Sequence, residues 1–328
     1  MASMDKCGNA ACTTSSASPS DSNSLRLCSR CRQAAYCSPD CQSAAWSSHK
    51  EACVRPNYII KFHLAPEHIT NPPVTRTLSC PAHAVFYMLH LALQTAFGWA
   101  TTHSFDFAVV NPDYREPDDI MEIISRRNAM GPTGDQLPPA SAPRQYLFRV
   151  IDPAKQAMFS GIDRMHEPMR RHPNTPEKKA DKYKLFELFD DVRFRNRQIV
   201  YTYDFGDNWE HYLTIAGRAD PTLDFICLDG SGHYVAEDSG SARGWEDVKA
   251  AYRNQSPTKE QRERRQWFER QASNPDPRGL VGDRVNAWDR DKINRDLKTD
   301  TMLARFQMMG DASAAYQDRA SAASRSER

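Results

Sequence analysis

The residues best suited to chemistry in this chain are seven cysteines and one histidine within its first 53 positions. They form four pairs with the spacings C-x4-C, C-x2-C, C-x3-C and H-x3-C. The eight residues are Cys7, Cys12, Cys28, Cys31, Cys37, Cys41, His49 and Cys53. Two ligands on one tight turn can face the same ion, and a tetrahedral zinc site takes four ligands. The spacing therefore predicts two complete zinc sites, but it does not say which pairs share an ion.

The expected location of the protein favours metal binding over disulfide formation. The first residues, MASMDKCGNAAC, lack the basic and apolar regions of a signal peptide. The most apolar long run, at 84–100, is too short to span a bilayer comfortably. We therefore expect an intracellular protein, in the cytoplasm or the nucleus, with no membrane association. Thiols there stay reduced, and the two remaining cysteines, Cys80 and Cys227, are expected to be buried apolar residues.

The segment LCSRCRQAAYCSPDCQSAAWSSHKEAC resembles a MYND-type zinc finger. The similarity includes the Tyr-Cys that opens the third pair, the Cys-Gln that closes it and the Trp three residues before the His. The resemblance implies a cross-braced arrangement with two zinc ions. One ion would be held by Cys7, Cys12, Cys37 and Cys41, and the other by Cys28, Cys31, His49 and Cys53. The insertion at 13–27 is longer and richer in serine than is usual for such a finger.

Both zinc ions are expected to be structural. A shell of four cysteines, or of three cysteines and a histidine, leaves no open coordination position for catalysis. The segment 7–53 is too small to bury much core, so metal binding would supply its folding free energy, about 10 kcal/mol or more per site. The resemblance further implies a partner protein that docks through a short proline-containing peptide. Gln42 and Trp46 are the expected contact residues, unless they serve only to pack the finger's helix.

Downstream of the finger, hydrophobic periodicity predicts a mixture of strands and helices. Pro56 marks a boundary, which makes 54–57 a linker. Alternating patterns predict strands, and apolar residues at helical spacing predict helices. The predicted strands are 58–64, 104–110 and 146–151, and the predicted helices are 82–98 and 184–189. Proline-rich or basic stretches at 112–143 and 163–182 are expected to be mobile insertions, the first with a short helix near 117–127. Residues 1–6 and 301–328 are expected to be tails, the latter largely disordered.

The stretch QIVYTYDFGDNWEHYLTIAG, at 198–217, predicts a β-hairpin because two alternating runs flank Gly206, Asp207 and Asn208. It resembles the Tyr-x-Tyr-Asp-Phe-Gly-Asp-x-Trp-x-His core of the plasmid pRiA4b ORF-3-like domain, which also occurs in a passenger protein of an insertion element. The resemblance covers most of 58–300. It implies an α+β domain in which helices flank a sheet that contains an antiparallel hairpin. Because the family has no firmly established activity, the resemblance specifies the fold more than the function.

Carboxylates and imidazoles are frequent in the segments that carry this second resemblance. They are His103, Asp204, Asp207, His211, Glu237 and Asp238. If these side chains converge, they could bind a divalent cation or provide acid–base catalysis, with Asp207 and Glu237 on the metal and His211 moving the proton. The alternative is structural, with the aspartates capping backbone N–H groups and His211 buried in a strand. The turn and loop positions of these residues favour the structural interpretation.

Three functions are compatible with the sequence. The first is an interaction protein that uses its finger to dock a peptide, with a larger domain of unestablished activity. The second is a metal-dependent hydrolase of the phosphodiester type, although the chain has neither a Gly-rich phosphate loop nor a serine nucleophile elbow. The third is a nucleic-acid-binding protein, suggested by mobile-element kinship and the basic segment 164–184. The net charge of +1 does not support the third function. We expect the first, and the sequence favours a protein that is not an enzyme.

Overall fold

The computed structural model of the protein describes residues 6–13, 25–115, 119–121, 124–125, 144–152 and 174–300. The N-terminal part contains strands β1 (Arg26–Leu27) and β2 (Ala35–Tyr36), which pair antiparallel, and helices α1 (Pro39–Ala44) and α2 (Trp46–His49). Helix α1 begins after Ser38, whose hydroxyl accepts a hydrogen bond from the N–H of Cys41. Gln42 lies in α1 and Trp46 in α2, so the single helix expected to carry both residues is two short helices, which meet at Ala45.

The larger part of the chain is α+β, as predicted. Its strands are β3 (Asn57–Leu64), β4 (Val74–Cys80), β5 (Phe105–Val110), β6 (Tyr146–Ile151), β7 (Glu177–Lys179), β8 (Ile199–Tyr203), β9 (Trp209–Ala219) and β10 (Ile226–Ser231). Its helices are α3 (Phe86–Phe97), α4 (Leu185–Phe189), α5 (Ser241–Arg253), α6 (Lys259–Arg270) and residues 290–300. Short 3-10 helices lie at Val192–Phe194 and Gly282–Asn286.

The eight strands form one sheet in the order β10-β4-β3-β9-β8-β5-β6-β7. All neighbouring strands run antiparallel except β6 and β7, which are parallel. The predicted hairpin is β8-β9, closed by the pairing of Tyr203 with Trp209. Because β8 also pairs with β5, the start of β5 lies beside the end of β8. This register decides which polar side chains meet at that end of the sheet.

Helix α3 ends at Gly98, and this end positions the polar segment that follows. Gly98 has the left-handed φ of 71°, which glycine adopts without the cost that a side chain would add. Its N–H donates to the carbonyl of Thr95, and the next residue, Trp99, is buried. A Cβ atom at position 98 would lie 3.1 Å from the side chain of Tyr234. The chain therefore leaves the helix in a fixed direction toward residues 100–103.

Several predictions differ from the observed elements or fall outside them. The helix predicted from residue 82 begins at Phe86, because residues 82–84 form a turn. Strands β4, β7 and β10 were not predicted, and β7 corrects the expectation of a mobile insertion at 163–182, because Glu177–Lys179 pairs with β6. The predicted tails, the serine-rich stretch at 13–27, the insertions at 112–143 and 163–182 and the helix near 117–127 lie wholly or largely outside the described residues. Within the described ranges, no helix combines the length and apolar character needed to cross a membrane.

Candidate metal centres

The first thiol cluster joins the first and third pairs of cysteines. The sulfur atoms of Cys7, Cys12, Cys37 and Cys41 all lie within 4.8 Å of one another. The Sγ atom of Cys37 is 3.6 Å from that of Cys12 and 3.4 Å from that of Cys41. Four thiolates about 2.3 Å from a tetrahedral zinc lie about 3.8 Å apart. The donor set and its spacing therefore fit a zinc ion.

The second cluster joins the second and fourth pairs. The donor atoms of Cys28, Cys31, His49 and Cys53 also lie within 4.8 Å of one another. The Sγ atoms of Cys28 and Cys53 are 3.6 Å apart, and the Nε2 atom of His49 is 3.5 Å from the Sγ atom of Cys31. The alternation of pairs between the two clusters is the cross-braced arrangement that the resemblance implied. Both clusters fit zinc binding.

Side-chain amides donate hydrogen bonds to sulfur atoms of both clusters. The Nδ2 atom of Asn9 is 3.5 Å from the Sγ atom of Cys41, and the Nε2 atom of Gln42 is 3.6 Å from the Sγ atom of Cys28. Donors of this kind orient ligands and stabilise the thiolate form. The role of Asn9 was not predicted, although its place inside the C-x4-C turn puts it near the sulfurs.

Two aromatic rings pack against the imidazole of His49. Tyr36 is 2% exposed and lies edge-on to the imidazole, with 5.8 Å between ring centroids. Trp46 also lies edge-on, at 6.0 Å, but 40% of its surface is exposed. Tyr36 therefore belongs to the small core of the finger. Trp46 presents a large ring to solvent while one edge is held against His49.

Arg55 connects the finger to the larger domain. Its guanidinium donates to the backbone carbonyls of Ser29 at 2.7 Å and Arg30 at 3.0 Å, both within the C-x2-C turn. It also forms an ion pair with Asp190 and lies over the ring of Phe186, 4.3 Å from its centroid. Both members of the ion pair are less than 10% exposed. The segment predicted to be a linker thus contains a buried contact between finger and domain.

A histidine and two aspartates meet at one end of the sheet. Phe105 pairs with Tyr203, and just beyond that pair the N–H of Asp204 donates to the carbonyl of Ser104 at 3.0 Å, which brings His103 close to Asp204. The Nε2 atom of His103 is 3.7 Å from Oδ2 of Asp204 and 3.0 Å from Oδ1 of Asp238. The donor atoms of these three residues all lie within 4.8 Å of one another. Three of the six candidate residues therefore converge. They are not the trio of Asp207, Glu237 and His211 to which the metal hypothesis gave roles.

Glu237 lies beside this cluster and holds the segment that carries His103. It is fully buried, and its Oε1 atom accepts hydrogen bonds from the hydroxyls of Thr102 at 2.6 Å and Tyr203 at 2.7 Å. Its Oε2 atom accepts from the N–H of Ala100 at 2.6 Å. The Oε1 atom is 3.7 Å from Nε2 of His103. Glu237 thus fixes residues 100–103 and adds negative charge to the cluster.

Asn274 connects the segment that contains Gly98 to the segment that contains Val235 and Glu237. Its Oδ1 atom accepts from the N–H of Glu237 at 2.7 Å. Its Nδ2 atom donates to the carbonyls of Gly98 and Val235, both at 2.8 Å. The sequence contained no signal for this role, because an asparagine in a loop is ordinary and its partners are 37 to 176 positions away.

The two aspartates of the cluster have different electrostatic environments. Burial raises the pKa of Asp204 to about 6, although the positive charge of His103 opposes this shift. The hydrogen bond with His103 lowers the pKa of Asp238, and a second bond from the hydroxyl of Ser273, at 2.6 Å, acts in the same direction. The side chain of Asp204 is 4% exposed and that of Asp238 is 45% exposed. Asp238 therefore forms the solvent side of the cluster.

His211 lies apart from this cluster, in the interior of the sheet. It is fully buried, with its Nε2 atom 3.4 Å from Nε1 of Trp99 and its Nδ1 atom 3.0 Å from the carbonyl oxygen of Trp209. Both ring nitrogens therefore have protein partners. Burial lowers the pKa of His211 to about 3, so the ring is neutral near pH 7. These contacts match the structural interpretation of His211 as a satisfied strand histidine.

Asp207 lies in the turn of the hairpin, where its Oδ2 atom accepts from the N–H of Gly240 at 3.0 Å. This bond ties the turn to the start of α5, as expected for a carboxylate that caps backbone N–H groups. The structure does not gather Asp207, His211 and Glu237 into one site: among the described residues, the converging donor atoms of this domain are those of the His103 cluster. Glu237 is the one member of that trio that lies beside it.

The fold and these centres define a protein built from a small metal-binding finger and a larger α+β domain. The chain belongs to the plasmid pRiA4b ORF-3-like protein family, whose model matches residues 58–296. The model of the MYND finger matches residues 5–53. Among solved structures, the chain is similar to the crystal structure of MM3350, a protein of unknown function from Methanosarcina mazei Go1. The identity is 20%, over 72% of this chain and 96% of that one, with a TM-score of 0.46.

Proposed function

We propose that the protein is a zinc-binding interaction protein whose finger docks a short proline-containing peptide of a partner. Two structural zinc ions hold the finger, one in each cluster of four donors. Because four protein ligands complete a tetrahedral shell, these ions stabilise the fold and do not take part in catalysis. MYND fingers generally mediate protein interactions, which supports this class of function. The observation that carries the proposal is the exposed ring of Trp46.

Trp46 has the properties of an anchor for a proline-containing peptide. Extended proline-rich segments dock on exposed aromatic rings, and tryptophan is enriched among the residues that dominate binding energy. Its contact with His49 restricts the ring, so less conformational entropy is lost when a peptide binds. Gln42 has a different task, because its amide nitrogen is engaged with the sulfur of Cys28. We therefore assign the peptide contact to Trp46 and the support of a metal ligand to Gln42.

The test is selection of a peptide by the zinc-loaded full-length chain from a displayed library in which every peptide contains two prolines. The affinity of a selected peptide is then measured by fluorescence anisotropy. Trp46→Ala should weaken binding about 30-fold, the effect of losing about 2 kcal/mol. Leu27→Ala is the matched control, because Leu27 is 46% exposed in the same finger, and it should change the affinity less than threefold. Selection of no peptide, or binding indifferent to Trp46→Ala, would contradict the proposal.

In this proposal the larger domain provides a second docking surface. A metal-dependent hydrolase is the second candidate function, and the observation that favours it is the convergence of His103, Asp204 and Asp238. The basic segment 164–184, which suggested nucleic-acid binding, lies largely outside the described residues. The intracellular location, in cytoplasm or nucleus, stays a prediction.

A further inference from the structure

Outside the finger, the residues with the strongest potential for ligand binding are those of the His103 cluster. We propose that His103, Asp204 and Asp238 bind a divalent cation in the larger domain, independently of the zinc sites. The proposal rests on four features of the cluster: the spacing of its donor atoms, the hydrogen bonds that orient them, their excess negative charge and their position at the edge of a cleft.

The spacing of the donor atoms matches coordination of one ion. Ligands about 2.1 Å from a metal lie about 3.0 Å apart at right angles and about 3.4 Å apart in a tetrahedron. The Nε2 atom of His103 is 3.0 Å from the nearest oxygen of Asp238 and 3.7 Å from that of Asp204. All three donor atoms fall within 4.8 Å of one another. Small side-chain adjustments therefore suffice for coordination.

The protein holds each aspartate by one oxygen and leaves the other facing the imidazole. The Oδ1 atom of Asp204 accepts from the N–H of Gly206 at 2.8 Å, whereas its Oδ2 atom faces His103. The Oδ2 atom of Asp238 accepts from the hydroxyl of Ser273 at 2.6 Å, whereas its Oδ1 atom faces His103. Hydrogen-bonded carboxylates of this kind are oriented in advance for a metal.

The cluster carries more negative charge than its own histidine can balance. The carboxylates of Asp204, Glu237 and Asp238 surround one imidazole within 3.7 Å. Among the described residues, the ion pairs of these three carboxylates are all with His103. Even a protonated imidazole would leave an excess of two negative charges, which is costly where two of the carboxylates are buried. A bound divalent cation would remove this excess.

A cleft beside Asp238 gives an ion access to solvent and to a further ligand. The cleft has a volume of about 640 Å³ and is lined by Asp238, Ser239 and side chains of α6 that include Glu260, Arg264 and Trp267. Ser239 is 8% exposed, and its hydroxyl has no hydrogen-bond partner among the described residues. It thus supplies a second polar group at this edge. Three protein ligands leave positions open for water or a substrate that enters from the cleft.

The donor set defines the class of cation. Carboxylate oxygens suit Mg²⁺ and Mn²⁺, and an imidazole nitrogen suits the first-row transition metals, whereas thiol-rich clusters such as those of the finger select softer ions. One imidazole with two carboxylates therefore favours a first-row divalent ion, and Mn²⁺ is the most informative probe because it is paramagnetic.

The experiment is a titration of the zinc-loaded full-length chain with Mn²⁺, followed by electron paramagnetic resonance. We expect one Mn²⁺ per chain, with a nitrogen coupling in the pulsed spectrum that comes from His103 and disappears in His103→Gln. Asp238→Asn should weaken Mn²⁺ binding at least about tenfold. Removing a residue that merely hydrogen-bonds to a metal ligand typically lowers metal affinity by that factor, and Asp238 is proposed as a ligand itself. Asp291→Asn is the matched control, because Asp291 is an aspartate of the same domain that lies outside the cluster and is 77% exposed, and it should change the affinity less than twofold.

The proposal would be overturned if the wild-type chain binds Mn²⁺ no more tightly than Asp238→Asn, or if bound Mn²⁺ shows no histidine nitrogen. Asp238 is half exposed, so its variant should fold, and thermal unfolding of each variant verifies this. The nitrogen coupling of the wild-type chain needs no variant at all. Zinc content and peptide affinity are measured on the same samples, which separates failure of this site from failure of the finger.

Discussion

Replacement of Arg55 by alanine tests whether the finger is held against the larger domain. The substitution removes two hydrogen bonds to carbonyls of the C-x2-C turn, the ion pair with Asp190 and the contact with Phe186. Breaking a buried ion pair by removing one partner costs about 3–5 kcal/mol. Arg218 keeps a bond of 2.6 Å to Asp190, which places the expected cost near the lower end, at about 3 kcal/mol.

The assay is hydrogen exchange followed by mass spectrometry, on peptides that cover 54–57 and 186–190. Exchange at a junction that opens locally depends on the free energy of opening. A loss of about 3 kcal/mol should therefore raise the exchange rate at both peptides about 150-fold. The matched control is Arg193→Ala, because Arg193 also pairs with a neighbouring aspartate, Asp191, but its side chain is 71% exposed. An exposed pair contributes about 1 kcal/mol or less.

The reasoning would be refuted if Arg55→Ala and Arg193→Ala gave the same exchange at the junction. It would also be refuted if Arg55→Ala accelerated exchange throughout the eight-stranded sheet, since the contacts that Arg55 makes within the described part of the chain are with the turn of the finger and with residues 186–190. Exchange that increases at the junction alone would show that Arg55 couples two units that are otherwise separately folded.

Three further predictions concern pH, metal and backbone packing. As the pH falls from 6 to 4.5, the stability to urea should fall. Burial lowers the pKa values of five histidines, so the unfolded chain takes up protons in this range that the folded chain does not; they are His63, His83, His90, His211 and His233. The raised pKa values of Asp204 and Glu177 act in the opposite direction but are fewer. Stability that rises on acidification would contradict this. Removal of zinc by a chelator should abolish amide protection in residues 7–53 and leave it intact in the sheet, and a finger that stays protected would contradict the structural role of the metal. Gly244→Ala should destabilise the larger domain by about 2 kcal/mol, because the added Cβ would lie 1.8 Å from the carbonyl oxygen of Ser239. An unchanged urea midpoint would contradict this, because it would mean that the backbone at Ser239 moves aside at no cost in stability.

The parts of the fold that the sequence predicted are those with local signals. Ligand spacing predicts two sulfurs on one turn, and the apolar runs on either side of Gly206, Asp207 and Asn208 predict two strands around a turn. The first of these strands, β8, is buried on both faces. Strand β4 was missed because Arg76 lies at its centre and is 2% exposed. Its guanidinium donates to the carbonyls of Ala96 at 2.9 Å and Ser231 at 2.7 Å, which satisfies a charge that pattern analysis assigns to the surface.

The composition of the second site could be predicted only in part. His103, Asp204 and Asp238 were all among the candidates, but the choice between them depends on the pairing of β5 with β8 and on a loop 34 positions further along the chain. The ion pair of Arg55 is equally invisible to local sequence patterns, since Asp190 is 135 positions away. Such contacts are decided by strand register and chain path, which a single sequence does not specify.

The central claim is that the finger is a two-zinc module built from cross-braced pairs. Native mass spectrometry with elemental analysis of the full-length chain tests it directly. We predict two zinc ions per chain, with Cys12→Ser reducing the first site and Cys53→Ser the second. Each variant should retain the zinc ion of the cluster that it leaves intact. A wild-type chain with no zinc or a single zinc ion would contradict the account.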